Sequence, residues 1–164
     1  MKRIFLSLVA LICCPVFANA QLPVGSKAPR LEAKEWFNQP DGLDLADMGN
    51  LHGRVVFVEF WATWCSPCIP AMKKLENFQE KFGDDIEIIT ASTDSRKNLN
   101  RYIENTQTSL RVAFDTTHKK IFNYKYIPHA VLIDKSGIVQ AITTPDKITE
   151  ETINDLIKGK PIKL

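Results

Sequence analysis

Beyond its first twenty residues the chain has only two cysteines, Cys65 and Cys68. A single pair in an oxidising compartment is either a staple or a catalyst. A zinc site would need further ligands, and His118 and His129 lack the close spacing of a finger-type pair. No second long apolar run follows the N-terminal one, which argues against a membrane domain. No basic face or alternation of aromatic and basic residues points to nucleic acid. No dinucleotide-binding fingerprint is present, so reducing electrons must come from another protein, and no metal or organic cofactor is implied. There is no internal repeat or low-complexity linker, so one domain is the simplest organisation for residues 21–164.

What is present begins with Met1-Lys2-Arg3, an apolar run over residues 4–17 and Ala18-Asn19-Ala20, the pattern of a secretory signal cleaved after residue 20. The run is shorter than a membrane-spanning helix needs and contains Pro15, so a retained anchor is the minority reading. Cys13 and Cys14 follow Ile12 and Cys13 rather than the small residue that precedes a lipid-acceptor cysteine, and they leave with the signal. The 21 basic residues include Lys2 and Arg3, so their removal leaves a chain formally balanced against its 19 acidic residues.

The pattern along the rest of the chain alternates strand and helix. Residues 31–37 read as a first strand, and Asp41-Gly42 as a turn before residues 43–45, together a small N-terminal hairpin. The β-branched and aromatic run 55–61 reads as a central strand. A helix follows over 69–82, with apolar residues at 69, 72, 75, 78 and 82 and a stop at Gly83. Strands at 86–91 and 110–114 flank a helix at 95–105, and a short helix fits 117–124. A hairpin pairs 130–134 with 138–143 around Lys135-Ser136-Gly137, and Ile148, Ile153, Leu156 and Ile157 stripe a final helix. Such alternation predicts an α/β fold with a central sheet flanked by helices.

The dithiol therefore lies between strand and helix. Unpaired N–H groups at a helix N-terminus stabilise a thiolate. Cys65, ahead of the helix, is expected to be the exposed nucleophile, and Cys68, one turn later, its more buried partner. Pro67 suits the first helical turn because no N–H is needed there, and with Ser66 it tunes the redox potential. In the expected reaction the Cys65 thiolate attacks a substrate disulfide, and Cys68 then displaces the substrate thiol. Glu59 is the candidate base for Cys68, acting through a water: burial in an apolar strand raises a carboxyl pKa. Alternation with Val58 and Phe60 leaves open a solvent-facing Glu59. A purely structural disulfide is disfavoured because so short a loop removes little unfolded-state entropy. Trp61 reads as core, Trp64 as an apolar contact surface for substrate, and His129 as a local hydrogen-bonding residue.

Phe60-Trp61-Ala62-Thr63-Trp64-Cys65-Ser66-Pro67-Cys68 resembles the active-site signature of the thioredoxin superfamily, in its TlpA/ResA-like secreted or membrane-attached branch. Residues 126–134 followed by Gly137 resemble that family's distal loop and hairpin. The resemblance implies a thioredoxin-like fold with a mixed sheet, and an extra central helix at 95–105. It further implies a cis bond before Pro128, facing the dithiol, with the Ile127 backbone free to pair with an extended substrate. Glu59 matches the family's buried acid, where thioredoxins more often carry Asp. Many relatives dedicated to cytochrome c maturation carry Glu three residues after the second cysteine and Pro two further on. This chain has Ala71 and Lys73, with Pro70 as an additional departure.

The function so implied is a thiol-disulfide oxidoreductase of the periplasm or another bacterial extracytoplasmic space, reducing disulfides of exported proteins. Its electrons would come from a membrane thiol donor of the DsbD/CcdA type. Competing readings are an oxidant that introduces disulfides, a peroxidase of the peroxiredoxin type, and a binding module whose dithiol is vestigial or structural.

Overall fold

The computed structural model describes residues 22–51, 53–114 and 118–164. The leader read over residues 1–20 and the Thr117 start of the short helix lie outside these. Strands β1 (Glu35–Phe37), β2 (Val55–Trp61), β3 (Ile86–Ser92), β4 (Arg111–Phe114), β5 (His129–Ile133) and β6 (Val139–Thr143) form one mixed sheet ordered β1-β4-β3-β2-β5-β6. Helices α1 (Cys68–Phe82) and α2 (Arg96–Thr106) make the crossovers that keep β2, β3 and β4 parallel. α3 (His118–Phe122) and the β5–β6 hairpin follow, and α4 (Glu150–Ile157) closes the chain behind a Thr149–Thr152 capping box. No helix among the described residues is long and apolar enough to cross a membrane.

β2 and β3 are buried along their whole lengths, as central parallel strands covered on both faces must be. Their side chains divide by the two-residue period of a strand. Val55, Phe57 and Trp61 join Met72, Leu75, Leu99 and Ile153 on the face covered by α1, α2 and α4. Val56, Val58 and Phe60 meet Leu31, Leu45, Met48 and Phe122 on the other face.

Two expectations are corrected. The N-terminal hairpin does not form: β1 pairs antiparallel with β4, and residues 43–45 are not a strand. The Asn38 backbone has φ +59°, and its amide donates to the carbonyls of Thr108 and Leu110, each at 2.9 Å, which ties the segment beside β4. Upstream, Gly25, Ala28 and Val139 make backbone bonds that lay residues 25–28 along the opposite side of the sheet. The N-terminal segment thus covers exposed edge groups at both ends of the sheet. The stripe of α1 is also displaced: Ile69 is 39% exposed, and the buried face runs through Cys68, Met72, Leu75 and Phe78. The buried sulfur of Cys68 occupies the register position that an aliphatic side chain was expected to fill.

Gly137 turns the β5–β6 hairpin at φ +78° and packs against Gly49, whose carbonyl oxygen would lie 2.5 Å from any added Cβ. A side chain there is excluded by both backbone conformation and space.

Candidate active site

β2 ends at Trp61, and the chain turns through Ala62–Thr63–Trp64 before α1 begins. The Cys65 N–H donates to the Ala62 carbonyl at 3.0 Å, and the Cys68 N–H to the Cys65 carbonyl at 2.9 Å, so two successive turns lead into the helix. Pro67 occupies the N-cap with helical dihedrals and lacks the N–H that would have to be satisfied there. Cys65 and Cys68 are joined in a disulfide with Cα atoms 5.3 Å apart.

The expected order of burial holds, but Cys65 is not the exposed side chain anticipated. It is 4% exposed in this oxidised state, and Cys68 is fully buried. The Cys65 sulfur is bonded to Cys68, and the residue packs into the cluster containing Trp61 and Ala62. Ser66 and Pro67 face solvent, and Trp64 stands out at 71% exposed. Trp61 is core, its ring 4.7 Å from that of Tyr102.

The Ile127–Pro128 bond is cis. Pro128 and Pro67 line one groove of about 430 Å³ with Pro70, Ala71, Lys74, Pro145 and Asp146, so the distal loop and the loop between the cysteines meet. The Lys74 ammonium donates to the Pro145 carbonyl at 2.9 Å, and burial lowers its pKa against the opposing pull of Asp146. Ile127 and Trp64 line a second groove with Thr93, Lys119, Tyr124, Lys125 and the exposed Tyr126. Ile127 lies ahead of β5, outside the ladder that β5 makes with β2.

Glu59 is fully buried, which dismisses the solvent-facing alternative. Strand alternation puts it on the face of Phe57 and Trp61, the face that carries both cysteines. Neither carboxyl oxygen has a hydrogen-bond partner among the described residues. Desolvation therefore acts unopposed and pushes the pKa up to about 9, leaving a neutral acid at physiological pH.

His129 corrects another expectation. Its ring stacks on Tyr124 at 5.3 Å and tilts against Phe60 at 5.8 Å, while its buried Nε2 has no hydrogen-bond partner among the described residues. Burial among aromatics lowers its pKa.

Sequence reasoning missed Asp94, Tyr126 and the Pro145–Asp146 wall of the first groove. The only available hint for Asp94 was the Thr93-Asp94-Ser95 run preceding a helix.

A dithiol that closes at a helix N-terminus, with a cis proline loop folded beside it, defines a thiol-disulfide oxidoreductase on a thioredoxin-like sheet. The AhpC/TSA family model matches residues 24–142, and the chain belongs to that family, as a ResA/TlpA-like member of the thioredoxin superfamily. It is 28% identical to the thiol-disulfide oxidoreductase ResA of Geobacillus thermodenitrificans, over 96% of this chain and 93% of that relative. The Bacillus subtilis ResA is 27% identical over 94% and 91% of the two chains. The crystal structure of a thiol-disulfide isomerase from Corynebacterium glutamicum shares the fold with a TM-score of 0.66, at 19% identity, covering 84% of this chain and 98% of that one.

Proposed function

We propose that the protein works outside the cytoplasm, in a bacterial periplasm or equivalent space, as a reductant of disulfides in exported proteins. A membrane thiol donor of the DsbD/CcdA type would recharge it. The observation that supports this most is the groove shared by Pro128 and Pro67, which sets the distal loop against the loop that the Cys65–Cys68 disulfide closes. The Ala-x-Ala leader pattern and the ResA relatives support the compartment.

In this reading an extended substrate segment lies along Ile127 and Pro128, with Trp64 as an apolar platform. Cys65 attacks the substrate disulfide, forming a mixed disulfide and expelling one substrate thiolate. The ionised fraction of Glu59, a minority at physiological pH that grows toward pH 9, accepts the proton of Cys68, whose thiolate attacks the Cys65 sulfur and releases the second substrate thiolate. The substrate gains two electrons and the protein is left as its disulfide. Prolines at 67 and 70 remove N–H donors from the start of α1, leaving the Cys65 thiolate less stabilised and the pair more reducing. Ala71 stands in the groove wall at the position where many cytochrome c maturation relatives carry Glu. General reduction of exported disulfides therefore fits this chain better than dedication to apocytochrome c.

The test is turnover of a protein disulfide with dithiothreitol as electron source, set beside turnover of hydrogen peroxide. Catalysed disulfide reduction with negligible peroxide consumption is expected. Peroxide turnover exceeding disulfide turnover would replace this reading with a peroxidase.

A further inference from the structure

Asp94 lies two residues beyond β3 and takes no part in the steps above. It is 8% exposed, and four donors converge on its carboxylate. Oδ1 accepts from the Ser95 N–H at 2.6 Å and from the Asn98 side-chain amide at 2.9 Å, both at the start of α2. Oδ2 accepts from the Thr63 N–H at 3.0 Å and from the Thr63 hydroxyl. Capping α2 does not require the Thr63 bonds, because the Ser95 hydroxyl already accepts from the Asn98 N–H at 3.2 Å. Half of the carboxylate is instead committed to a residue two positions before Cys65.

The two residues between Ala62 and Cys65 are the less buried part of that segment. Trp64 is largely in solvent and supplies little packing, so between the buried Ala62 and Cys65, whose own turn bond closes the segment, the Thr63 bonds fix the side of the loop that faces α2. Burial by itself would raise the Asp94 pKa, but the hydrogen bonds from Thr63, Asn98 and Ser95 outweigh it and keep the group charged. A fixed negative charge near Cys65 opposes thiolate formation, and destabilising the reduced form makes a dithiol pair more reducing.

We propose that Asp94 is a positioning residue for the dithiol, clamping the Thr63–Trp64–Cys65 segment to α2 and biasing the pair toward its disulfide. This rests on the reading of Cys65 and Cys68 as a redox pair. α2 then has a task beyond connecting β3 to β4: it carries the clamp on the active-site loop.

The test equilibrates full-length wild type, Asp94→Asn, Thr63→Val and Thr63→Ser with glutathione, one protein disulfide and two glutathione thiols giving one dithiol and one glutathione disulfide. Turnover of a model protein disulfide and the melting temperature are measured alongside. Asp94→Asn is expected to move the equilibrium about tenfold toward the dithiol, about 30 mV for a two-electron couple. Thr63→Val keeps the charge and the backbone bond and is expected to slow turnover about threefold to tenfold, the range for one lost hydrogen bond. Thr63→Ser is expected to restore it. Should Asp94→Asn not fold, the Val and Ser variants decide alone. Wild-type equilibrium and turnover in the variants, whatever their melting temperatures, would reduce Asp94 to a helix cap and overturn this inference alone. A wild-type pair that does not equilibrate with glutathione would overturn the functional reading beneath it.

Discussion

A Cys68→Ser chain is expected to accumulate as covalent adducts with substrate proteins, all joined through Cys65 and all released by a reducing agent. In the intact site the second sulfur lies one helical turn from the first, so its attack is intramolecular and far faster than that of a thiol from solution. Losing it stops the cycle after the first step, and turnover should fall by at least about a thousandfold at millimolar external thiol. Cys65→Ser should yield neither adducts nor turnover, because Cys68 is fully buried and cannot meet a substrate disulfide. Intact-mass spectra of the two variants after incubation with a disulfide-containing protein check both statements. Wild-type activity in a double Cys65→Ser, Cys68→Ser chain would instead establish a binding module.

Glu59→Gln should slow catalysis and stabilise the protein, a combination that marks a functional group kept at a structural cost. In the unfolded chain this carboxyl titrates near 4.5, and in the fold near 9. Between those values the folded state carries a proton that the unfolded state has lost. Stability therefore falls as pH rises through that window, and the loss levels off above about 9. Glutamine lacks the titration, so its advantage should grow with pH and reach roughly 3–5 kcal/mol at pH 8. Denaturant melts at pH 5 and pH 8 measure it, and parallel profiles for the two chains would mean that the carboxyl is not desolvated. For the chemistry, resolution of a Cys65 mixed disulfide should slow about a hundredfold, the lower range for losing a general base. The wild-type rate should rise with pH toward about 9, and in Glu59→Gln a slower rise should remain, set by ionisation of the Cys68 thiol without an internal base.

The parts of this site that were legible in sequence are those made by neighbours along the chain. The β2 run, the Cys-x-x-Cys turn and α1 follow from local periodicity and from proline and glycine punctuation. The cis bond before Pro128 and its approach to the dithiol came from the family resemblance rather than from any local pattern. Errors arose where partners are remote. β1 pairs with β4 rather than with its sequence neighbours, because Asn38 ties it to residues 108 and 110. Apolar periodicity alone places Ile69 in the buried stripe, but Cys68 fills that volume in the core and turns Ile69 outward. Asp94 was invisible for a topological reason. The parallel register sets Trp61 opposite Ser92, so Thr63 and Asp94 each lie two residues past adjacent strand ends. Nothing in the local sequence of either residue announces the other.

The equilibrium reduction potential of the Cys65–Cys68 pair tests the proposed reductant most directly, measured on the full wild-type chain in a graded glutathione or dithiothreitol series by thiol alkylation and intact mass. A value near that of thioredoxin, about −270 mV, is the result expected of a reductant. A value near that of strong disulfide-forming oxidants, about −120 mV, would contradict the direction proposed here. A pair that never exchanged would contradict the enzyme itself.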